Sequence, residues 1–144
     1  MHIGFSATYD PTYVWDVPSG SWKRSMVGAP HTASNGNQIA PTNVVVQFTD
    51  YPAESDGRTV GEGDVWVFTD GTVRTGKWVR PDHNQPARYV DPQGQPILLR
   101  PGSTWVELLP NGAAVDVEFA PAPPPTGPPA TTVPVTTTTK PKKK

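Results

Sequence analysis

Residues 43–51 read Asn-Val-Val-Val-Gln-Phe-Thr-Asp-Tyr, with Pro41 just before them and Pro52 just after. No other stretch restricts the folding of this chain so strongly. The run is β-branched and uncharged until Asp50, which suits a pleated strand. As a strand it turns Val44, Val46 and Phe48 to one face and Asn43, Val45, Gln47 and Thr49 to the other. It is the most apolar stretch that also carries polar residues of mixed type, so it reads as the central strand of a small β domain.

The rest of the chain is cut into short pieces. Nineteen prolines and thirteen glycines in 144 residues leave no room for a helical protein. Ile3-Gly4-Phe5 is a candidate strand and Tyr9-Asp10-Pro11-Thr12 a turn. Tyr13–Val17 and Ser21–Met26 flank Pro18-Ser19-Gly20 as a hairpin, and 27–42 reads as a long loop. The sharpest local signal is Asp70-Gly71, a type I′ turn dipeptide between 64–69 and 72–79. A two-residue turn there sets Phe68 against Val73, Trp66 against Thr75 and Asp64 against Lys77. On the other face it sets Val67 against Arg74, Val65 against Gly76 and Gly63 against Trp78. Asp64 and Lys77 then form a cross-strand ion pair, and the Trp78 ring lies over the bare backbone of Gly63. Both faces of this hairpin are largely apolar and need covering.

Further on, 87–90 reads as a short strand before the turn Asp91-Pro92-Gln93-Gly94. Strands at 104–109 and 113–119 flank Asn111-Gly112. Paired as a hairpin, they set Leu108 against Val115, Val106 against Val117, and the like charges Glu107 and Asp116 against each other. In that register Trp105 shares an exposed face with Glu107, Asp116 and Glu118. Residues 121–144 hold eight prolines, seven threonines and four terminal lysines. They cannot bury a core and read as an extended, disordered tail. The expected fold is all-β, with β-rich α+β as the alternative: a small sandwich, roll or partly open barrel of short antiparallel strands over 1–120, followed by the tail.

Several chemistries are missing. There is no cysteine, hence no disulfide, thiolate site or thiol nucleophile. His2, His31 and His83 are scattered without ligand spacing, and the acidic run around Glu54, Asp56 and Glu62 lacks the spacing of a calcium loop. No metal and no cofactor is expected. There is no Gly-x-Ser-x-Gly elbow and no phosphate-binding glycine loop. Before residue 121 the chain has eight basic and thirteen acidic residues, a net charge of −5 that argues against nucleic acid as a partner. No apolar run reaches the ~18–20 residues of a membrane span, and no signal peptide precedes the first strand.

The pattern Trp22-Lys23-Arg24, Gly28-Ala29-Pro30-His31 and 40–47 (Ala-Pro-Thr-Asn-Val-Val-Val-Gln) resembles the C-terminal domain of YerB-like lipoproteins, a bacterial family of uncharacterised function. The likeness continues through Gly61-Glu62-Gly63, Phe68-Thr69-Asp70-Gly71, Gly76-Lys77-Trp78 and Arg88-Tyr89. It ends in Asp91-Pro92-Gln93-Gly94-Gln95-Pro96-Ile97 and 99–106 (Leu-Arg-Pro-Gly-Ser-Thr-Trp-Val). It spans roughly residues 3–110. Two residues beyond the histidine, where family members often carry an acid, this chain has Ala33. The resemblance implies an extracytoplasmic, cell-envelope protein, anchored to the membrane by a segment, and preceded by an N-terminal domain, that lie outside this chain.

Three functional readings follow. The first is a non-catalytic envelope module that binds a protein partner or a cell-wall polymer. Its candidate binding residues are Arg24, His31, Asn43, Asp50, Arg88 and Trp105. Arginine can fork onto a carboxylate or phosphate, and Trp105 offers a flat apolar face. The second is an enzyme acting on wall glycan or peptide, which needs His31 or an acid pair from Asp50, Asp56 and Glu62 beside Arg24. The third is a structural domain docked on the N-terminal domain of the same protein.

Overall fold

Asn43–Thr49 is a strand, β5, and all seven of its residues are buried. One face is apolar, and on the other the buried polar side chains Asn43, Gln47 and Thr49 are hydrogen-bonded, to Arg100, Tyr89 and Arg58 respectively. Val44, Val46 and Phe48 enter one core cluster with Ile3, Tyr13, Trp22, Phe68 and Leu109. Val45 enters another with Val65, Val67, Trp78 and Ile97. In this computed structural model residues 1–3, 9–52 and 56–119 are described. The proline- and threonine-rich segment, Gly4-Phe5 and Glu54-Ser55 lie outside them.

The described residues form ten strands and no helix. β1 is His2–Ile3, β2 Pro11–Asp16, β3 Ser21–Met26 and β4 Ala29–Pro30. After β5 come β6 (Gly61–Thr69), β7 (Thr72–Arg80), β8 (Arg88–Val90), β9 (Thr104–Pro110) and β10 (Val115–Asp116). One sheet has the order β10-β1-β2-β3-β4, the other β8-β7-β6-β5-β9. The first core cluster draws on both sheets, giving a sandwich-like fold that does not close into a barrel.

The β6–β7 register is the one its turn dictates. Phe68 faces Val73, Asp64 faces Lys77 and Gly63 faces Trp78. Asp70 and Gly71 both take positive φ, as a type I′ turn requires. Lys77 and Asp64 form an exposed ion pair at 2.7 Å. A Cβ on Gly63 would lie 2.6 Å from the indole nitrogen of Trp78, so the ring does rest on bare backbone. The far face of the hairpin is covered by the chain itself. Ile97, Tyr89 and Leu99 lie over Val65, Val67 and Trp78.

Four local expectations are corrected. Pro11 and Thr12 belong to β2 rather than to a turn, because they pair with Met26 and Ser25. The 27–42 segment is not free loop. Ala29–Pro30 pairs back on β3, Thr32 bridges Gln38, and Ile39 and Pro41 carbonyls accept from Arg24 and Trp22 amides. The third and fourth corrections concern the hairpin at 104–119. The Asn111-Gly112 turn forms, with Gly112 at φ +83° and Ala113 N–H bonded to Pro110. The strands on either side part company. β9 lies parallel to β5, and β10 pairs with β1 in the other sheet. Glu107 therefore escapes Asp116 and is 3% exposed. Trp105 is half-buried rather than set on an open acidic face.

Candidate functional site

The β2–β3 hairpin places Tyr13 directly opposite Arg24, so both side chains leave the same face. Parallel pairing of β9 with β5 sets Trp105 beside Val44, Glu107 beside Val46 and Leu109 beside Phe48. Because strand side chains alternate, Trp105, Glu107 and Leu109 all point into the space between the sheets. Arg24 and Glu107 meet there. Their 3.2 Å ion pair spans the two sheets with both side chains out of water.

The guanidinium is held on every side. Its Nε donates to the Tyr13 hydroxyl at 2.8 Å, and Nη2 donates to Tyr9 at 3.2 Å and to Glu107 at 3.2 Å. Nη1 is in hydrogen-bond contact with His31 Nδ1. Its carbon lies 4.7 Å from the centre of the Trp105 ring and 5.6 Å from that of Tyr13. The carboxylate is as fully engaged. Glu107 Oε1 accepts from Tyr13, Arg24 and, at 3.1 Å, the Trp105 indole, while Oε2 accepts from Tyr9 at 3.2 Å. Three donors thus converge on Oε1 and one on Oε2.

The electrostatics follow from this burial. Burial and then the Glu107 charge drive the Tyr13 phenol far above the usual tyrosine range. The same two causes raise Tyr9. Burial alone would lower Arg24, but its hydrogen bond to Tyr13 and the charge of Glu107 outweigh that and keep it protonated. The cluster is thus a charged pair with neutral phenols, sealed by rings.

Of the residues singled out in the sequence, Arg24, His31 and Trp105 come together here. Asn43 is buried at the start of β5 as a splint. Its amide donates to the Arg100 carbonyl at 2.8 Å, and its oxygen accepts from Arg100 N–H at 3.0 Å and Thr69 at 2.8 Å. Asp50 is exposed, accepting from Asn111 at 2.7 Å. Arg88 is exposed on β8, at a separate cleft with Val79 and Ile97. Tyr9, Tyr13 and Glu107 complete the cluster, and sequence reasoning missed them. The alternation Trp105-x-Glu107-x-Leu109, ending on an apolar residue, was the available sign that Glu107 faces inward. Among the described residues no three His, Asp or Glu side chains gather as a metal site would require.

A second feature lies between the two sheets. A cleft of about 400 Å³ opens between the β2–β3 and β6–β7 hairpins. Val14, Trp15, Trp22, Phe68, Val73 and Phe119 line it. Val14 and Phe119 are 65% and 70% exposed, and Val17 beside them 77%.

The family described as the C-terminal domain of a protein of unknown function (DUF3048) matches residues 1–106, ending one position before Glu107. Among solved structures, the crystal structure of the YerB protein from Bacillus subtilis is similar with a TM-score of 0.62 and 21% identity. The match covers 75% of this chain and 39% of that one. At this identity the likeness is one of fold. The chain spans well under two thirds of the length of the solved protein. No curated protein matches it.

Proposed function

The chain belongs to the DUF3048 C-terminal domain family, and from that premise we propose that it is a non-catalytic module of an extracytoplasmic, cell-envelope protein that binds a partner polypeptide or a wall polymer. The observation that carries the non-catalytic part is the state of Glu107. A general base or nucleophile needs a free lone pair at the reacting atom. Here Glu107 is 3% exposed, its Oε1 already takes three donors and its Oε2 accepts from Tyr9, so burial keeps it from a reacting atom, and the phenols are held neutral. Asp50 and Glu62 stand in solvent, and neither touches Arg24. The cluster fixes the hairpin to β9 and so holds the shape of the domain.

Recognition then falls to the apolar cleft. Monomeric domains seldom leave several large apolar side chains exposed around one groove without a use for them. The test is retention of purified cell-wall polymer and of envelope proteins by the immobilised chain. Val14→Glu and Val17→Glu abolish retention, wall glycan and wall peptide are left uncut, and Arg88→Ala changes nothing. Turnover of either wall substrate, or retention untouched by the cleft variants, overturns the reading. A second reading, docking on another domain of the same polypeptide, is favoured by the 39% coverage of the YerB chain. It predicts that the cleft variants release that domain rather than a separate molecule.

A further inference from the structure

The β6–β7 hairpin carries a separate groove on the same face that lines the apolar cleft. Strand alternation turns Asp64, Trp66 and Phe68 to one side, and the register sets them against Lys77, Thr75 and Val73. Phe68 and Val73 belong to the apolar cleft. The next two rungs line a groove of about 680 Å³, which Phe48 also lines and to which a separate segment adds the Asn111-Gly112 turn. That volume is in the range of small-ligand sites. Unlike the cleft, this groove mixes rings with polar groups. Trp66 is half-buried, its ring centre 6.2 Å from that of Phe48 and inclined by 64°. The Trp66 indole N–H has no acceptor among the described residues and, unlike that of Trp22, is not sealed from water. The Thr75 hydroxyl is exposed and unbonded among the same residues.

Asp64 and Lys77 are the charged side chains of the lining, and they hold each other at 2.7 Å while 66% and 59% exposed. The pair cancels its own charge, so the groove has no surplus cation for a phosphate or carboxylate. β6 and β7 are each paired on both edges, which leaves no strand edge for a peptide to extend. What the pair does present is an acceptor and a donor side by side, spaced much as two hydroxyls on adjacent ring carbons are. One hydroxyl donates to the carboxylate and its neighbour accepts from the ammonium. A pyranose ring has that diol together with an apolar C–H face suited to an indole. We propose that this groove is a subsite for one ring of a neutral saccharide, with Trp66 as the platform and Asp64 and Lys77 clasping a vicinal diol. The proposal goes beyond the binding reading, because the groove is separate from the cleft on which that reading rests. One sugar ring gives a dissociation constant in the ~mM range.

The test uses the full chain, labelled with 15N, titrated with soluble tetrasaccharides of glucose, mannose and galactose to ~50 mM. At least one of them shifts the Trp66 indole and Thr75 amide signals saturably. The same sugar with every hydroxyl methylated does not. Asp64→Ala and Lys77→Ala, at exposed positions where folding is spared, each weaken binding ~10-fold or more. Asp64→Asn, which keeps an acceptor, loses less. Signals indifferent to all three sugars overturn the proposal, as do shifts that survive methylation of the sugar or the loss of both charged side chains. Val17→Glu leaves the titration unchanged; if it removes the shifts, the sugar sits in the cleft and the proposal fails. Trp66 signals that ignore the sugars while the cleft variants abolish polymer retention sink this proposal and leave the binding reading standing. Sugar shifts that depend on Asp64 and Lys77, with retention indifferent to the cleft variants, do the reverse.

Discussion

Arg24 and Glu107 lie 83 positions apart, on strands of different sheets, and meet at 3.2 Å with side-chain exposures of 0% and 4%. Neither charge can be left alone in that position. Taking ions out of water costs several kcal/mol each, and only mutual pairing with good hydrogen bonds offsets this. Arg24→Met or Glu107→Leu therefore each lower the unfolding free energy by about 3–5 kcal/mol. The double variant loses less than the sum by at least ~1 kcal/mol, because it strands no charge. Urea unfolding of the four proteins checks this; strict additivity contradicts a shared pair.

Tyr13 makes stability fall on the alkaline side. An unfolded phenol ionises near pH ~10, whereas burial and Glu107 keep the folded one protonated well above that. The folded state then binds more protons than the unfolded state, so stability is complete below about pH 10 and is lost as pH rises further, at up to ~1.4 kcal/mol per pH unit. Tyr9 is shifted the same way and leaves a shallower residual slope. Melting temperatures between about pH 8 and 11 should show the decline, and Tyr13→Phe should flatten it while lowering the plateau.

Gly63 is a packing requirement. A Cβ there would come within 2.5 Å of the Phe48 carbonyl and 2.6 Å of the Trp78 indole nitrogen, which itself donates to that carbonyl at 2.9 Å. Gly63→Ala should cost about 1–3 kcal/mol by overpacking and push Trp78 off Phe48. Chemical denaturation gives the first effect, and a shift of the Trp78 indole signal gives the second.

Val27 is the opposite case. It has φ +48° at an exposed turn between β3 and β4, a conformation that β-branched residues rarely take. Val27→Asn should raise stability by about 1 kcal/mol, since asparagine tolerates the left-handed region. A lower melting temperature would show that the valine side chain has a packing role.

The parts of this fold that could be read from sequence are those with a local rule behind them. Asp70-Gly71 fixes its turn, and the turn fixes every pair from Phe68–Val73 to Gly63–Trp78. The alternation of β5 names its two faces, and the two core clusters take them up. What periodicity gives is the face of a strand and not its neighbour. The 104–110 stretch has a hairpin turn signal after it, yet its partner is β5, reached across three other strands. The clash of Glu107 with Asp116 in the hairpin register was the trace of that error. Half the cluster was legible for a related reason. Arg24, His31 and Trp105 are noticeable residue types, but Tyr13 and Glu107 matter through the residues opposite them, and only pairing reveals those.

The parallel seam between β5 and β9 also orders events in time. β5, β6, β7 and β8 each pair with a sequence neighbour, so they can zip up as a meander with short loop closures. β9 has to return past all of them before it finds β5, and it carries Glu107. Forming the Arg24–Glu107 pair therefore waits on the longest loop closure in this sheet, and by that argument it should come late in folding. Interactions made after the rate-limiting barrier slow escape without hastening arrival. The buried ion pair therefore acts as a latch: its loss should let the domain open faster while leaving the speed of its assembly nearly unchanged.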